Sequence, residues 1–154
     1  MDLSVPLSVD GLEAVRTRRA ELRESMSALE QALAGPVPGR IEAWAQRVHV
    51  ALVELSADLR THVELTEGSG GLHEDVLGIA PRLAGRVRRL TREHGEMIHL
   101  VEELIARARG PLDDDAVATV RSRATVLLGR LIHHRQLSAD LLYEAYQADV
   151  GGGD

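Results

Sequence analysis

Three short internal clusters of glycine and proline punctuate the chain, and they constrain the fold more than any other feature of the sequence. The clusters are Gly35-Pro36-Val37-Pro38-Gly39, Gly68-Ser69-Gly70-Gly71 and Gly110-Pro111. The long stretches between them lack the two-residue alternation of half-buried strands and carry apolar residues at spacings of three and four. Such spacing puts one apolar stripe on each helix, which must be buried against its neighbours. Connections this short force successive helices to lie side by side and antiparallel. The expectation is an all-α chain: an up-down-up-down four-helix bundle with a short extra helical segment, Leu72–Ile79, between the second and third long helices.

The first long helix is expected over residues 9–34, with Asp10 as its N-cap. Its stripe is Leu12, Val15, Leu22, Met26, Leu29 and Leu33, with Arg19 at the skipped inward position. The second, residues 40–66, carries Ile41, Trp44, Val48, Leu52, Leu55 and Leu59, and the next steps land on His62 and Thr66. The third opens at Pro81, a residue suited to a first helical turn, with Leu83, Val87, Leu90, His94, Met97, Val101 and Leu104. The fourth follows Asp113-Asp114-Asp115, acids that suit a helix N-terminus. Its stripe is Val117, Val120, Ala124, Leu127, Leu131, His134, Ser138, Leu141 and Ala145. A single domain is expected over residues 1–154, with its core at about 10–150 and a flexible tail at 151–154.

Composition narrows the function classes. All 18 basic residues are arginine, the formal net charge is −6, and aromatics make up 2% of the chain. That balance argues against nucleic-acid binding by charge or by base stacking. Absence of cysteine removes disulfides, thiolate metal sites and iron–sulfur clusters. No apolar run approaches the roughly 20 residues of a membrane span. The acidic N-terminus lacks the basic start of a secretory signal. Together these give the expectation of a cytoplasmic protein with no membrane and no nucleic-acid partner. Gly68-Ser69-Gly70-Gly71 lacks the Lys and Ser/Thr of a phosphate-binding loop, and no nucleophilic triad is apparent.

Three of the seven histidines fall on apolar stripes, one per helix: His62, His94 and His134. A buried imidazole must satisfy two ring nitrogens, and facing helices of a bundle build metal sites from inward histidines and carboxylates. Glu67 and Asp140 each follow a stripe histidine within two turns and join the candidate set. Glu13, Glu93 and Glu144 are expected in solvent, and His49, His73, His99 and His133 at surface or boundary positions. Counting outward from a turn at Gly110-Pro111 sets His94 opposite about Leu128 and His134 opposite about Arg88, a difference in level of about 10 Å.

These residues resemble the hemerythrin-like, or HHE cation-binding, family. The likeness lies in "LRTHVELTEG", "PRL…LTREH" and "LIHHRQLSADLLYEAY", and spans about residues 12–150. It implies a non-haem iron site, mononuclear or dinuclear, formed by His62, Glu67, His94, His134 and Asp140. The implied function is to bind or respond to O2, peroxide or nitric oxide, with redox chemistry such as peroxide breakdown as the one enzymatic reading. The family pattern has a histidine on the first helix, then His-x3-Glu, His-x3-His and His-x4-Asp. Here the first helix has none, and Thr66, Ile98 and Ala139 stand where the second ligands would be. Glu67, His99 and Asp140 each lie one residue further on, which turns a helical side chain by about 100°. The alternative reading is a metal-free bundle that serves as a small-ligand or protein-interaction module.

Overall fold

The computed structural model describes residues 9–151, apart from the side chains of 9–12, 14, 15 and 148–151. Its elements are α1 (Val9–Leu33), α2 (Ile41–Glu67), α3 (Leu72–Ile79), a 3₁₀ turn (Pro81–Leu83), α4 (Ala84–Arg109) and α5 (Asp114–Gly151). No strand occurs among the described residues. The four long helices, α1, α2, α4 and α5, pack as neighbours α1–α2, α2–α4, α4–α5 and α1–α5. The short α3 rests against α2, α4 and α5. The expected extra segment is therefore a helix with the expected bounds, and Pro81 opens a 3₁₀ turn that runs directly into α4. Helix α1 already includes Val9, so Asp10 lies inside the first turn and not before it. Of the tail expected at 151–154, Gly151 is instead the last residue of α5; residues 152–154, and the side chains of Leu12 and Val15, lie outside the described residues.

The apolar stripes become two separate cores. The larger joins Leu29 of α1, Trp44 and Leu55 of α2, Val101 and Leu104 of α4, and Leu127 of α5, among others. The smaller joins Val76 of α3, Leu83 of the turn, Val87 and Leu90 of α4, and Leu141 and Ala145 of α5. Along α4, His94 comes after Leu90 of the small core and before Met97 of the large one. Along α5, His134 falls between Leu131 of the large core and Leu141 of the small one. A polar layer thus interrupts the core at one level, where its groups must find partners inside the protein.

Helix ends are held by specific groups. Asp113 Oδ1 accepts from the Ala116 backbone N–H at 2.8 Å and caps α5. Arg121 of α5 donates to the carbonyls of Leu33 and Gly35, each at 3.1 Å, where the last carbonyls of α1 lack helical partners. Its guanidinium lies 5.4 Å from the centre of the Trp44 ring, a cation–π contact that fixes α1 against α2 and α5.

The α2–α3 corner sets the site. Gly70 has φ +74°, a conformation that costs glycine nothing. Gly71 is buried, and a Cβ there would meet the backbone oxygens of Leu65, Gly68 and Thr66 at 2.6–2.7 Å. No flexible side chain can move aside to make room. Gly71→Ala is therefore expected to lower stability by about 2 kcal/mol or more. Gly95→Ala, on an open face of α4, is expected to raise it by about 0.5–1 kcal/mol. Urea denaturation of the two variants checks both, and a Gly71→Ala midpoint equal to the parent's would contradict the corner's role.

Candidate metal centre

Three helices bring His62, His94 and His134 together, with one nitrogen of each lying within 4.8 Å of the others. His94 and His134 are 1% and 4% exposed, and His62 is half-buried. The Nε2 atoms of His94 and His134 are 2.8 Å apart. The His62 ring stands at 88° to that of His94, and the His134 ring at 51°. Since an imidazole lone pair lies in the ring plane, rings at these angles can converge on one point.

The expected 10 Å offset between His94 and His134 is overturned by this contact, and the reason is side-chain direction. Every Cα–Cβ bond on a helix tilts toward the N-terminus. Helices α4 and α5 are joined by residues 110–113 and run back past each other. His94 leans away from that connection and His134 leans toward it, so the two rings meet across the offset of their backbones.

A carboxylate lies behind each of the two innermost rings. Glu67 Oε1 accepts from His94 Nδ1 at 2.9 Å, across the α2–α4 interface. Glu93 Oε2 accepts from His134 Nδ1 at 2.8 Å, across α4–α5. These bonds fix the tautomer: Nδ1 carries the proton and Nε2 presents a lone pair. Burial, followed by the neighbouring His134, lowers the pKa of His62 to about 4 and that of His94 to about 3. Arg19 and His73 add to the effect at His62, and His62 and His73 at His94. Both rings therefore stay neutral at ordinary pH. Burial also raises the Glu67 pKa, opposed by a hydrogen bond from Thr91 and by His134.

The proton count at this layer does not close by itself. With Nδ1–H on both rings, two Nε2 lone pairs face each other at 2.8 Å. Moving one proton to Nε2 would leave a bare Nδ1 against a carboxylate. Either arrangement leaves an uncompensated contact, which one added positive charge at the Nε2 atoms, a shared proton or a metal ion, relieves. Neutral imidazoles backed by carboxylates are the donor set that suits a divalent transition metal.

Asp140 is not brought into this set: it is exposed and accepts from Gln136 Nε2 at 2.9 Å. Six residues beyond His134, it has turned onto another face of α5. Glu67 touches His94 and not the point where the three nitrogens meet. Arg19, expected inward, is exposed. Its charge still reaches His62, as a long side chain rooted at the bundle edge can. His99 and His133 are exposed, and Tyr143 and Tyr146 are 70% and 43% exposed.

Two partners expected at the surface belong to the layer. His73 is 5% exposed and its ring lies parallel to that of His94, with centroids 5.7 Å apart. The signal was present in the spacing of His73, Val76 and Ala80, the buried face of α3 and its end. Glu93, expected in solvent, stands directly before a stripe histidine, a place that turns it about 100° toward α5. It also pairs with Arg89 at 3.4 Å.

In comparisons with known proteins, the chain matches no protein-family model, no curated protein and no solved structure.

The lowered histidine pKa values carry a pH dependence. Unfolded histidine takes up a proton near pH 6.5, whereas His62 and His94 in the folded protein resist until about 4 and 3. The unfolded state then binds more protons, so metal-free stability is full above pH 6.5 and falls as the pH drops through that window. A loss on the order of 1–2 kcal/mol is expected between pH 7 and 5.5. Denaturation midpoints across that range check it; a flat or rising profile would refute it.

Proposed function

We propose that this chain is a hemerythrin-like, cytoplasmic, non-haem iron-binding protein, an up-down-up-down bundle that binds or responds to O2, peroxide or nitric oxide. The observation that carries the reading is the meeting of three inward imidazole nitrogens on α2, α4 and α5, two of them backed by carboxylates. His62, His94 and His134 would hold one ion. Glu67 and Glu93 are committed to orienting the ligand rings, which favours a mononuclear site over a dinuclear one. Asp140 has no part in it.

A bound iron would supply an open coordination position and a change of oxidation state. The chain's own residues do the rest. Glu67 and Glu93 keep Nδ1 protonated and so keep the Nε2 lone pairs turned inward. Leu90, Met97 and Leu131 bound the layer on either side with apolar surface, which limits water and strengthens every charge interaction inside. The neutral state of His62 and His94 removes the need to displace protons from the ligands when a metal enters.

Metal analysis and an optical spectrum of protein expressed with ample iron test the reading. About one iron per chain is expected, with His94→Ala and His134→Ala both losing it. Glu93→Gln is expected to weaken binding by about 10–100-fold while leaving the fold intact. Protein that arrives without metal and takes up none on titration with ferrous, zinc or cobalt ions would overturn the proposal.

A second reading rests on one distance. Nitrogens bound at about 2.1 Å to one tetrahedral ion lie about 3.4 Å apart, whereas the Nε2 atoms of His94 and His134 are at 2.8 Å, a hydrogen-bond separation. A metal-free bundle would place one shared proton there and use the layer as a polar network or small-ligand pocket. That version predicts no metal uptake and unchanged stability on adding a chelator.

A further inference from the structure

Two of the chain's three aromatic residues stand in solvent. Trp44 is buried, but Tyr143 and Tyr146 lie on the outer face of α5. Tyr143 is 70% exposed, and Ile132, about three turns before it on the same face, is 61% exposed. The residues that join them keep a strict spacing. Gly129, Ile132, Gln136, Ala139, Tyr143 and Tyr146 follow one another by three, four, three, four and three, the a and d positions of a heptad. All six are exposed. They lie on the far side of α5 from Leu127, Leu131, Leu141 and Ala145, which fill the two cores. None of the six is charged, in a chain where 27% of residues are. An uncharged seam with exposed tyrosines and an isoleucine, running about 26 Å along a helix, has the make-up of an interface core and not of a solvated face.

The charges beside the seam say what covers it. Arg135 is a g residue and Asp140 an e residue of this heptad, on opposite edges of the seam. When two copies of α5 run parallel along it, each g residue meets the e residue five positions further on in the other copy. Arg135 then faces Asp140 of the second copy, and the twofold axis repeats the pair. Both groups are exposed and open to such a contact. Arg135 has no ion-pair partner among the described residues. Asp140 receives the Gln136 amide on Oδ1 at 2.9 Å, which leaves Oδ2 to accept from a guanidinium. With the copies antiparallel over the same stretch, Arg135 would instead face Leu142 and lose that complement.

We propose that the outer seam of α5, residues 129–146, is the interface of a parallel homodimer. Ile132, Ala139 and Tyr146 meet their own copies across the twofold axis, and an Arg135–Asp140 pair closes each edge. The metal layer faces the opposite side of α5, so the dimer stands or falls independently of the metal reading.

Light scattering over a dilution series and a single-cysteine cross-link test the proposal. Wild type is expected to reach twice the chain mass of 16.8 kDa as concentration rises. Ile132→Arg, which sets like charges opposite each other, and Asp140→Arg are each expected to weaken the dimer by about tenfold or more. Both positions are exposed, so helix content by circular dichroism should not change. Arg135→Asp combined with Asp140→Arg should restore the affinity to within about threefold of wild type. The chain has no cysteine, so one introduced thiol can be oxidised without competition. Ala139→Cys should form a covalent dimer under mild oxidation, whereas Arg130→Cys, off the seam, should not. A wild type that stays monomeric at every concentration overturns the proposal. So does a dimer that survives Ile132→Arg, or a double variant that recovers nothing. Cross-linking of Ala139→Cys no faster than that of Arg130→Cys overturns it as well.

Discussion

The structure depends on two hydrogen bonds between a carboxylate and an imidazole, Glu67 to His94 and Glu93 to His134. Each crosses a helix interface, the first from α2 to α4 and the second from α4 to α5. Each also removes the main objection to placing a histidine in a core, an unsatisfied ring nitrogen. With Nδ1 answered in this way, the rings stay neutral and turn their other nitrogens inward. Without these bonds the layer would hold two nearly fully buried imidazoles with no fixed tautomer, and the two apolar cores would be separated by a fault.

Most of the fold was legible in the stripes. The positions from Leu22 to Leu33, Trp44 to Leu59, Leu83 to Leu104 and Val117 to Ala145 are the ones that line the cores, because a spacing of three and four on a helix leaves little choice of inward face. The site was only partly legible. His62, His94 and His134 were readable because they replace apolar residues in that pattern. Their level was misjudged because counting residues along an axis ignores the N-terminal lean of side chains. Glu93 and His73 were missed for a common reason: each lies off the long stripes and gains its meaning from a neighbouring helix that a single helix's periodicity does not describe.

The one-residue slips in the motif acquire a physical sense from this geometry. Glu67 stands five residues after His62, which turns it about 140° around α2. A residue on the same face as His62 would compete for the same point. Turned this far, Glu67 meets His94 on the adjacent helix instead. In the proposed reading, the slip exchanges a direct ligand for an orienting one. At α5 the same slip sends Asp140 into solvent, and Glu93, from α4, takes the orienting role at His134. In the proposed reading, a set of residues that resembles a two-ion pattern becomes a one-ion site with its own carboxylate support.

Helix α1 contributes no histidine, and none of its described side chains joins the small core that the extra helix helps to build. Among its described side chains, Arg16 to Arg19 are exposed and burial begins in earnest at Leu22, so α1 supports the large core and supplies no described side chain to the small one. The small core is built without described α1 side chains, from α3, the 3₁₀ turn, α4 and α5. Helix α3 supplies apolar cover through Val76 and Ala80, and the same face that buries them carries His73 inward. Eight residues of helix, turned sharply at Gly71 because no side chain fits there, thus both close one end of the bundle and add a polar group beside the histidine layer. A cover made only of leucine and valine would have buried the site equally well, so the histidine on this helix is the part of it that packing alone does not explain.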